Sequence, residues 1–355
     1  MMRFDVGGRL LPVALTIVVP AAGPVAAQVS ATKPAEARTV SFHTEDGVVI
    51  VGDYYAPEPK SGEKAPIVIL LHMNRCDRST WKPLVPYLHA AGFAVLAIDM
   101  RGHGESLEPK AFNLKQRVEN GDSKLYQAMH QDVTAAYVWL AAQENVDPAR
   151  FALVGASVGC SVALDYAARD RSVDAIVCLT PGTNYLGLDS TGPIRRCESR
   201  SILMLTAKAE AGAANELRRI AAQASVQVMD DGRADGDGQA LHGSRMLGKI
   251  RDIEKTIASH LVRAVGGPSK EPVVASVHSD IYHVPGTSHA RRIKSENLRW
   301  FSSAAEARAR GLRPVKQRGS EHNGAGAGAA VGPRASDLPP GAAEGKPTRN
   351  GRRPR

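Results

Sequence analysis

The chain has 355 residues, of which 43% are hydrophobic and 23% charged, a make-up that suits a soluble globular protein and excludes a membrane-embedded one. The net charge of +9 is uneven: residues 28–267 hold 27 Lys and Arg against 28 Asp and Glu, and the positive excess lies mostly beyond them. Such a basic end favours anionic polymers or membrane surfaces; for an exported protein these are envelope polymers or lipids, not nucleic acid.

At the N-terminus Arg3 and Arg9 are followed by the apolar run LLPVALTIVVPAAGPVAA, which ends on Val25-Ala26-Ala27 before Gln28. A basic start, an apolar centre and a small-x-small end are the parts of a secretory signal, so residues 1–27 are expected to direct export and be removed. An uncleaved anchor is the alternative. No other stretch is long and apolar enough to span a bilayer. TVSFHT and VVIVGDYY flank Asp46-Gly47 and predict a hairpin. APIVILLH is a continuous apolar run and predicts a buried strand. WKPLVPYLHAAG predicts a helix, FAVLAID a strand, and KLYQAMHQDVTAAYVWLAAQE one long helix without glycine. FALVGA, SVDAIVCLT and SILMLTA predict strands, followed by the helix ANELRRIAAQA and a last strand, SVQVMD. SRMLGKIRDIEKTIASHLVRAV predicts a closing helix. Alternation of this kind predicts an α/β fold with a mostly parallel sheet covered by helices on both faces. A smaller module is expected over residues 272–318. The tail from 319 is rich in Gly, Ala, Pro and Arg, with almost no large apolar side chain to offset ordering, and is expected to be disordered. Of the four cysteines, Cys76, Cys160, Cys178 and Cys197, the Cys178–Cys197 pair is the first disulfide to test, because the two lie around one connection and export would permit a bridge.

Between one strand and one helix stands Gly155-Ala156-Ser157-Val158-Gly159, a G-x-S-x-G pattern. A strand that turns abruptly into a helix strains its corner and tolerates only small neighbours there. The corner lifts the Ser157 hydroxyl above the carboxyl ends of the strands, at a helix N-terminus whose N–H groups favour developing negative charge. On these residues the region 38–265 resembles the α/β-hydrolase family. The stretch ILLHMNRCDRSTWKPLVPYLHAAGFAVLAIDMRGHGES is similar to that family's segment from the third strand to the loop after the fourth. The resemblance implies an eight-stranded α/β-hydrolase fold with little or no lid, since 181–200 leaves scant room for one. It also implies a nucleophile–acid–histidine order. Ser157 is then the nucleophile and His242, in ALHGSRML after the last strand, the base. Glu210 after SILMLTAKAE is the acid where the family usually has Asp, with Asp189 in reserve. Family members usually carry His-Gly after the third strand; this chain has His72-Met73-Asn74. By position Asn74 offers one oxyanion N–H and Val158 the other. His103 in RGHGES is expected to hold a loop and His260 to pack inside the closing helix. Asp230, Asp231, Asp235 and Asp237 make a solvated loop, and Met73, Tyr185 and Leu186 are candidate pocket walls.

The segment SDIYHVPGTSHARRIKSENLRWFSSAAEARARGLRPVKQ resembles two small bacterial modules, the sunset domain and the Ada-type metal-binding domain. The latter's metal cysteines are absent, with Thr287, Val315 and Arg318 in their place, so zinc is not expected. The expected activity is that of an exported serine hydrolase acting on a small carboxylic ester through an acyl-enzyme, with no metal or organic cofactor. A peptidase or thioesterase would use the same triad, and a non-catalytic envelope-binding protein would use the body as a scaffold.

Overall fold

The structure, a computed structural model, describes residues 36–58, 63–229, 241–265 and 271–315. The signal-like segment 1–27, the acidic loop 230–237 and the tail from 319 lie outside the described residues. Strands β1 (Arg38–His43), β2 (Val49–Tyr55), β3 (Ala65–Leu71), β4 (Ala94–Asp99), β5 (Val146–Ala156) and β6 (Val173–Leu179) come first. A small hairpin follows, β7 (Asn184–Tyr185) and β8 (Leu188–Asp189), then β9 (Ser201–Ala207) and β10 (Ser225–Met229). All but the hairpin join one eight-stranded sheet in the order β1-β2-β4-β3-β5-β6-β9-β10. The β1–β2 and β2–β4 pairs are antiparallel and the rest parallel.

The central strands are apolar on both faces because both faces are covered. Side chains alternate along a strand, so Ile67, Ile69 and Leu71 of β3 enter one core layer while Val68 and Leu70 enter the other. The first layer is closed by α4 (His130–Ala141) and α5 (Val158–Arg169), through Val133, Ala136, Leu140 and Val162. The second is closed by α1 (Val85–Ala90) and α8 (Ile253–Val265), through Val85, Leu88, Ile257 and Leu261, and α2 (Leu114–Glu119), α6 (Thr191–Arg195) and α7 (Ala211–Ile220) lie in the connections between strands. This is the α/β-hydrolase architecture.

Three helices are shorter than their sequences suggest. The 81–92 helix is confined to Val85–Ala90, preceded by a 3-10 turn at Arg78–Trp81. Pro83 cannot donate a helical hydrogen bond and Pro86 sits in the first turn, where that loss costs nothing. The long 124–144 helix is divided into α3 (Ser123–Gln127) and α4. The closing helix is reduced to a 3-10 turn at Gly243–Met246 and to α8, because Gly248 (φ +72°) and Asp252 (φ +60°) take left-handed conformations between them. The four cysteines carry free thiols, so the Cys178–Cys197 bridge is not formed.

Residues 271–315 form a second, four-stranded sheet of β11 (Val273–Ser276), β12 (Ile281–His283), β13 (Leu298–Phe301) and β14 (Arg313–Pro314), in the order β13-β11-β12-β14. It docks at the start of β6, the end of the main sheet opposite the serine corner. Arg299 pairs with Asp170, and Arg310 reaches Asp174 at 2.7 Å and the Val173 carbonyl at 2.7 Å. Part of the positive charge of this segment is therefore spent on carboxylates of the body.

Candidate active site

The corner at Ser157 is strained in the way the sequence requires. Ser157 has φ +51° and ψ −119°, outside the regions a non-glycine residue prefers, and its N–H is held by the Leu179 carbonyl at 2.9 Å. The flanking glycines are compulsory. A Cβ on Gly155 would stand 2.3 Å from the Gly159 carbonyl oxygen, and one on Gly159 would stand 2.2 Å from that of Leu71. The closeness of the last pair locks the start of α5 against the end of β3, which brings the 72–76 loop beside the serine.

That loop follows His72, which is fully buried and doubly bonded. Its Nδ1–H donates to the Met73 carbonyl at 2.8 Å and its Nε2 accepts the Met100 N–H at 3.0 Å. Burial, aided by neighbouring His103, holds the His72 pKa down to about 3. Between pH 6.5 and 3 the unfolded chain therefore binds a proton that the folded one refuses, so this contribution is complete above 6.5 and is lost as pH falls. The expected loss is about 1.4 kcal/mol per pH unit in that window. Urea unfolding of wild type and His72→Asn at pH 7, 6 and 5 checks it: the variant is weaker at pH 7 but its slope is flatter by about that amount, and parallel slopes refute the buried neutral imidazole.

Asn74 lies next, its side-chain oxygen accepting the Tyr126 hydroxyl at 2.9 Å and lying 3.2 Å from His103 Nε2. This places His103 in a holding role beside the loop. The Asn74 N–H has no backbone acceptor among the described residues. Val158 opens α5, so its N–H has no carbonyl one turn back. Met73 takes the place of the expected glycine and turns its sulfur toward Gly243, where an added Cβ would meet it at 3.1 Å.

Glu210 ends a 3-10 turn, Lys208–Glu210, directly after β9. Its Oε1 accepts from His242 Nδ1 at 2.7 Å, and both side chains are half-buried. The next residue, Gly243 (φ +56°), lies against the elbow: a Cβ there would stand 3.6 Å from the Ser157 backbone nitrogen. The structure thus brings His242 and Glu210 together and carries their loop to the serine corner. Asp189 does not join them. Its carboxylate is exposed and caps the N–H groups of Thr191 and Gly192 at 2.9 Å each. His260 lies within α8, 3.4 Å from the Ser201 hydroxyl. Tyr185 lies edge-on to His242, ring centroids 6.3 Å apart, whereas Leu186 faces Gly121. A cleft of about 1400 Å³ between α4 and the small sheet, bordered by Trp139, Asp170 and Trp300, contains none of these residues. Among the described residues no group of three or more His, Cys, Asp or Glu side chains could hold a metal ion.

The sequence matches the family described as alpha/beta hydrolase fold over residues 66–200. Two uncharacterized proteins of Mycobacterium tuberculosis, from strains H37Rv and CDC 1551, are each 36% identical to it over 168 residues. That alignment takes in 47% of this chain and 53% of theirs, so the chain spans about half the length of the curated relatives it matches. Among solved structures, an esterase of Pyrococcus furiosus superposes with a TM-score of 0.50 at 16% identity, over 67% of this chain and 95% of that one. The alpha/beta hydrolase GrgF of Penicillium sp. sh18 gives 0.51 at 13% identity, over 65% and 99%. A hypothetical protein of Pseudomonas aeruginosa gives 0.51 at 14%, over 68% and 98%. These likenesses concern the fold.

Proposed function

We propose that this chain is a serine hydrolase that cleaves carboxylic esters with Ser157, His242 and Glu210, a reading its fold and its partial family match support. A serine hydroxyl is a weak nucleophile at neutral pH and needs a base that a carboxylate orients. Ser157 attacks the acyl carbon while His242 takes its proton, and Glu210 holds the imidazole Nδ1–H. The N–H groups of Asn74 and Val158 hold the oxyanion, an arrangement in which each donor contributes roughly 3–4 kcal/mol in the transition state. The alcohol leaves with the proton from His242. Water then attacks the acyl-enzyme, with His242 again as base. The observation that carries this reading is the 2.7 Å bond between His242 and Glu210, on a loop whose next residue lies against the Ser157 backbone. The likeness to an esterase supports esters as the substrate class. The reading includes export through residues 1–27. The sheet formed by residues 271–315, which resembles the sunset and Ada-type modules in sequence, is a docked appendage whose remaining basic side chains can meet anionic envelope polymers or lipid.

A fluorophosphonate probe tests the chemistry. Wild type is expected to label stoichiometrically and Ser157→Ala not at all; a wild type that resists labelling ends the proposal. p-Nitrophenyl esters of graded acyl length, assayed beside a thioester and a peptide anilide, then fix the substrate class, with short and medium esters expected to turn over fastest.

A further inference from the structure

The stretch from His72 to Arg78 carries the proposed oxyanion donor, and its two ends are anchored to β4 and the loop after it. At one end the His72 ring accepts the Met100 N–H at 3.0 Å. At the other the Arg78 N–H donates to Asp99 Oδ1 at 2.7 Å, and the Arg78 guanidinium reaches Asp53 at 3.0 Å. A turn from the Cys76 N–H to the Met73 carbonyl, 3.2 Å, closes the middle. Asn74 and Arg75 lie inside that turn, and Arg75 takes φ +58°, which a non-glycine residue seldom adopts. Among the described residues, the backbone of neither makes a hydrogen bond. The Asn74 side chain is what holds this step.

Its amide oxygen accepts the Tyr126 hydroxyl at 2.9 Å. That phenol sits on a rigid frame. Tyr126 is wholly buried on α3, together with Leu125 and the following Met129. Asp122 caps the helix by accepting the Lys124 N–H at 2.9 Å, and Gln127 donates to the Gly187 carbonyl at 3.2 Å. A Cβ on Gly187 would stand 2.6 Å from that of Ser123, so α3 lies tightly on the β7–β8 hairpin. The amide oxygen has a second neighbour, and it is the weaker one. His103 Nε2 lies 3.2 Å from it while Nδ1 lies 3.2 Å from the Arg101 carbonyl, so both ring nitrogens face oxygens. Burial keeps the His103 pKa below its usual value, and a neutral imidazole has one N–H to give. Tyr126, whose one proton has Asn74 as its acceptor, is the donor that fixes the amide.

We propose that Tyr126 is a positioning residue for the hydrolysis: its hydroxyl holds Asn74 by the side chain and so keeps the Asn74 N–H in place for the oxyanion. The inference rests on the serine-hydrolase reading above, with Asn74 as an oxyanion donor. A donor stabilises a transition state most when it need not move as charge develops. The carbonyl of the bound substrate draws little on that N–H, whereas the tetrahedral oxygen draws on it strongly. The tether therefore acts on kcat and leaves KM nearly alone.

The test uses the full chain and a double-mutant cycle. Tyr126→Phe removes the hydroxyl and keeps the buried ring. It is expected to lower kcat for a p-nitrophenyl ester about tenfold with KM within about twofold, a part of the roughly 10²- to 10³-fold that one oxyanion donor is worth. Affinity for benzeneboronic acid, whose adduct on a serine is a tetrahedral anion, is expected to fall by about the same factor. Asn74→Ala removes the acceptor, from a half-buried loop position, and is expected to lower kcat about ten- to thirtyfold. In that background Tyr126→Phe is expected to change kcat by less than about twofold, because the bond it would break is already gone. Thermal melting and fluorophosphonate titration give the folded, active fraction to which each kcat refers. Either single variant with kcat within about twofold of wild type, a rise in KM in place of the fall in kcat, or an equal loss from Tyr126→Phe in the Asn74→Ala background overturns the inference while leaving the triad standing. A wild type that does not label overturns the reading beneath it instead.

Discussion

Ser157→Ala is expected to lower ester turnover by about 10⁶-fold, and Glu210→Ala by about 10³- to 10⁴-fold, with Asp189→Ala within about twofold of wild type. The ranking follows from what each group does. Removing the nucleophile leaves only the oxyanion donors and binding. Removing the carboxylate leaves a serine and a histidine whose tautomer and ring orientation are no longer fixed. Glu210 is the group in position to fix them, since its Oε1 meets His242 Nδ1 at 2.7 Å. Its other carboxylate oxygen is buried with no partner among the described residues, so little else holds this side chain to the site. Asp189 spends its oxygens on the N–H groups of Thr191 and Gly192. Steady-state kinetics of the three variants on one p-nitrophenyl ester decides the matter. An inactive Asp189→Ala beside an active Glu210→Ala would move the acid and require the loop from 182 to 190 to rearrange.

The sheet and the serine corner were legible because both are written in sterics. Continuous apolar runs such as APIVILLH, short and rich in β-branched residues, suit a strand covered on both faces, and the glycines at 155 and 159 mark places where a methyl would collide with a carbonyl. Chain order left Glu210 and Asp189 both open, because order carries no distance. The break between α3 and α4 is hidden in a stretch with neither glycine nor proline; tertiary packing, not propensity, imposes it. Tyr126 could not be tied to Asn74 from sequence, since 52 positions separate them and Tyr126 reads as one more apolar contact of a helix. The docking of residues 271–315 was equally hidden: Arg299 and Asp170 are separated by 129 positions, and a count of charges cannot tell a cation that faces solvent from one that faces a buried carboxylate.

That buried pair supports the largest stability effect expected outside the triad. Arg299 is almost fully buried. Its Nε donates to Asp170, its Nη1 to the carbonyls of Glu296 and Leu298 at 2.8 and 2.9 Å, and its guanidinium lies 4.9 Å from the centre of the Tyr137 ring. Asp170 also accepts from the Tyr166 hydroxyl at 2.6 Å and from the Ser172 hydroxyl at 2.7 Å. Burial pushes the Asp170 pKa up, and the Arg299 charge together with these hydrogen bonds brings it below the usual range. A buried ion pair of this kind contributes modestly over a well-packed apolar substitute, but stripping one partner leaves a bare charge in the interior. Arg299→Ala is therefore expected to destabilise the protein by about 3–5 kcal/mol. Asp170→Asn in the Arg299→Met background removes both charges and is expected to recover more than half of that loss. Because the pair lies at the opposite end of the sheet from Ser157, turnover per folded molecule is expected to hold within about twofold. Chemical denaturation and active-site titration measure the two quantities separately. A loss below about 1 kcal/mol in Arg299→Ala would mean that solvent reaches Asp170 and that the small sheet is only loosely held.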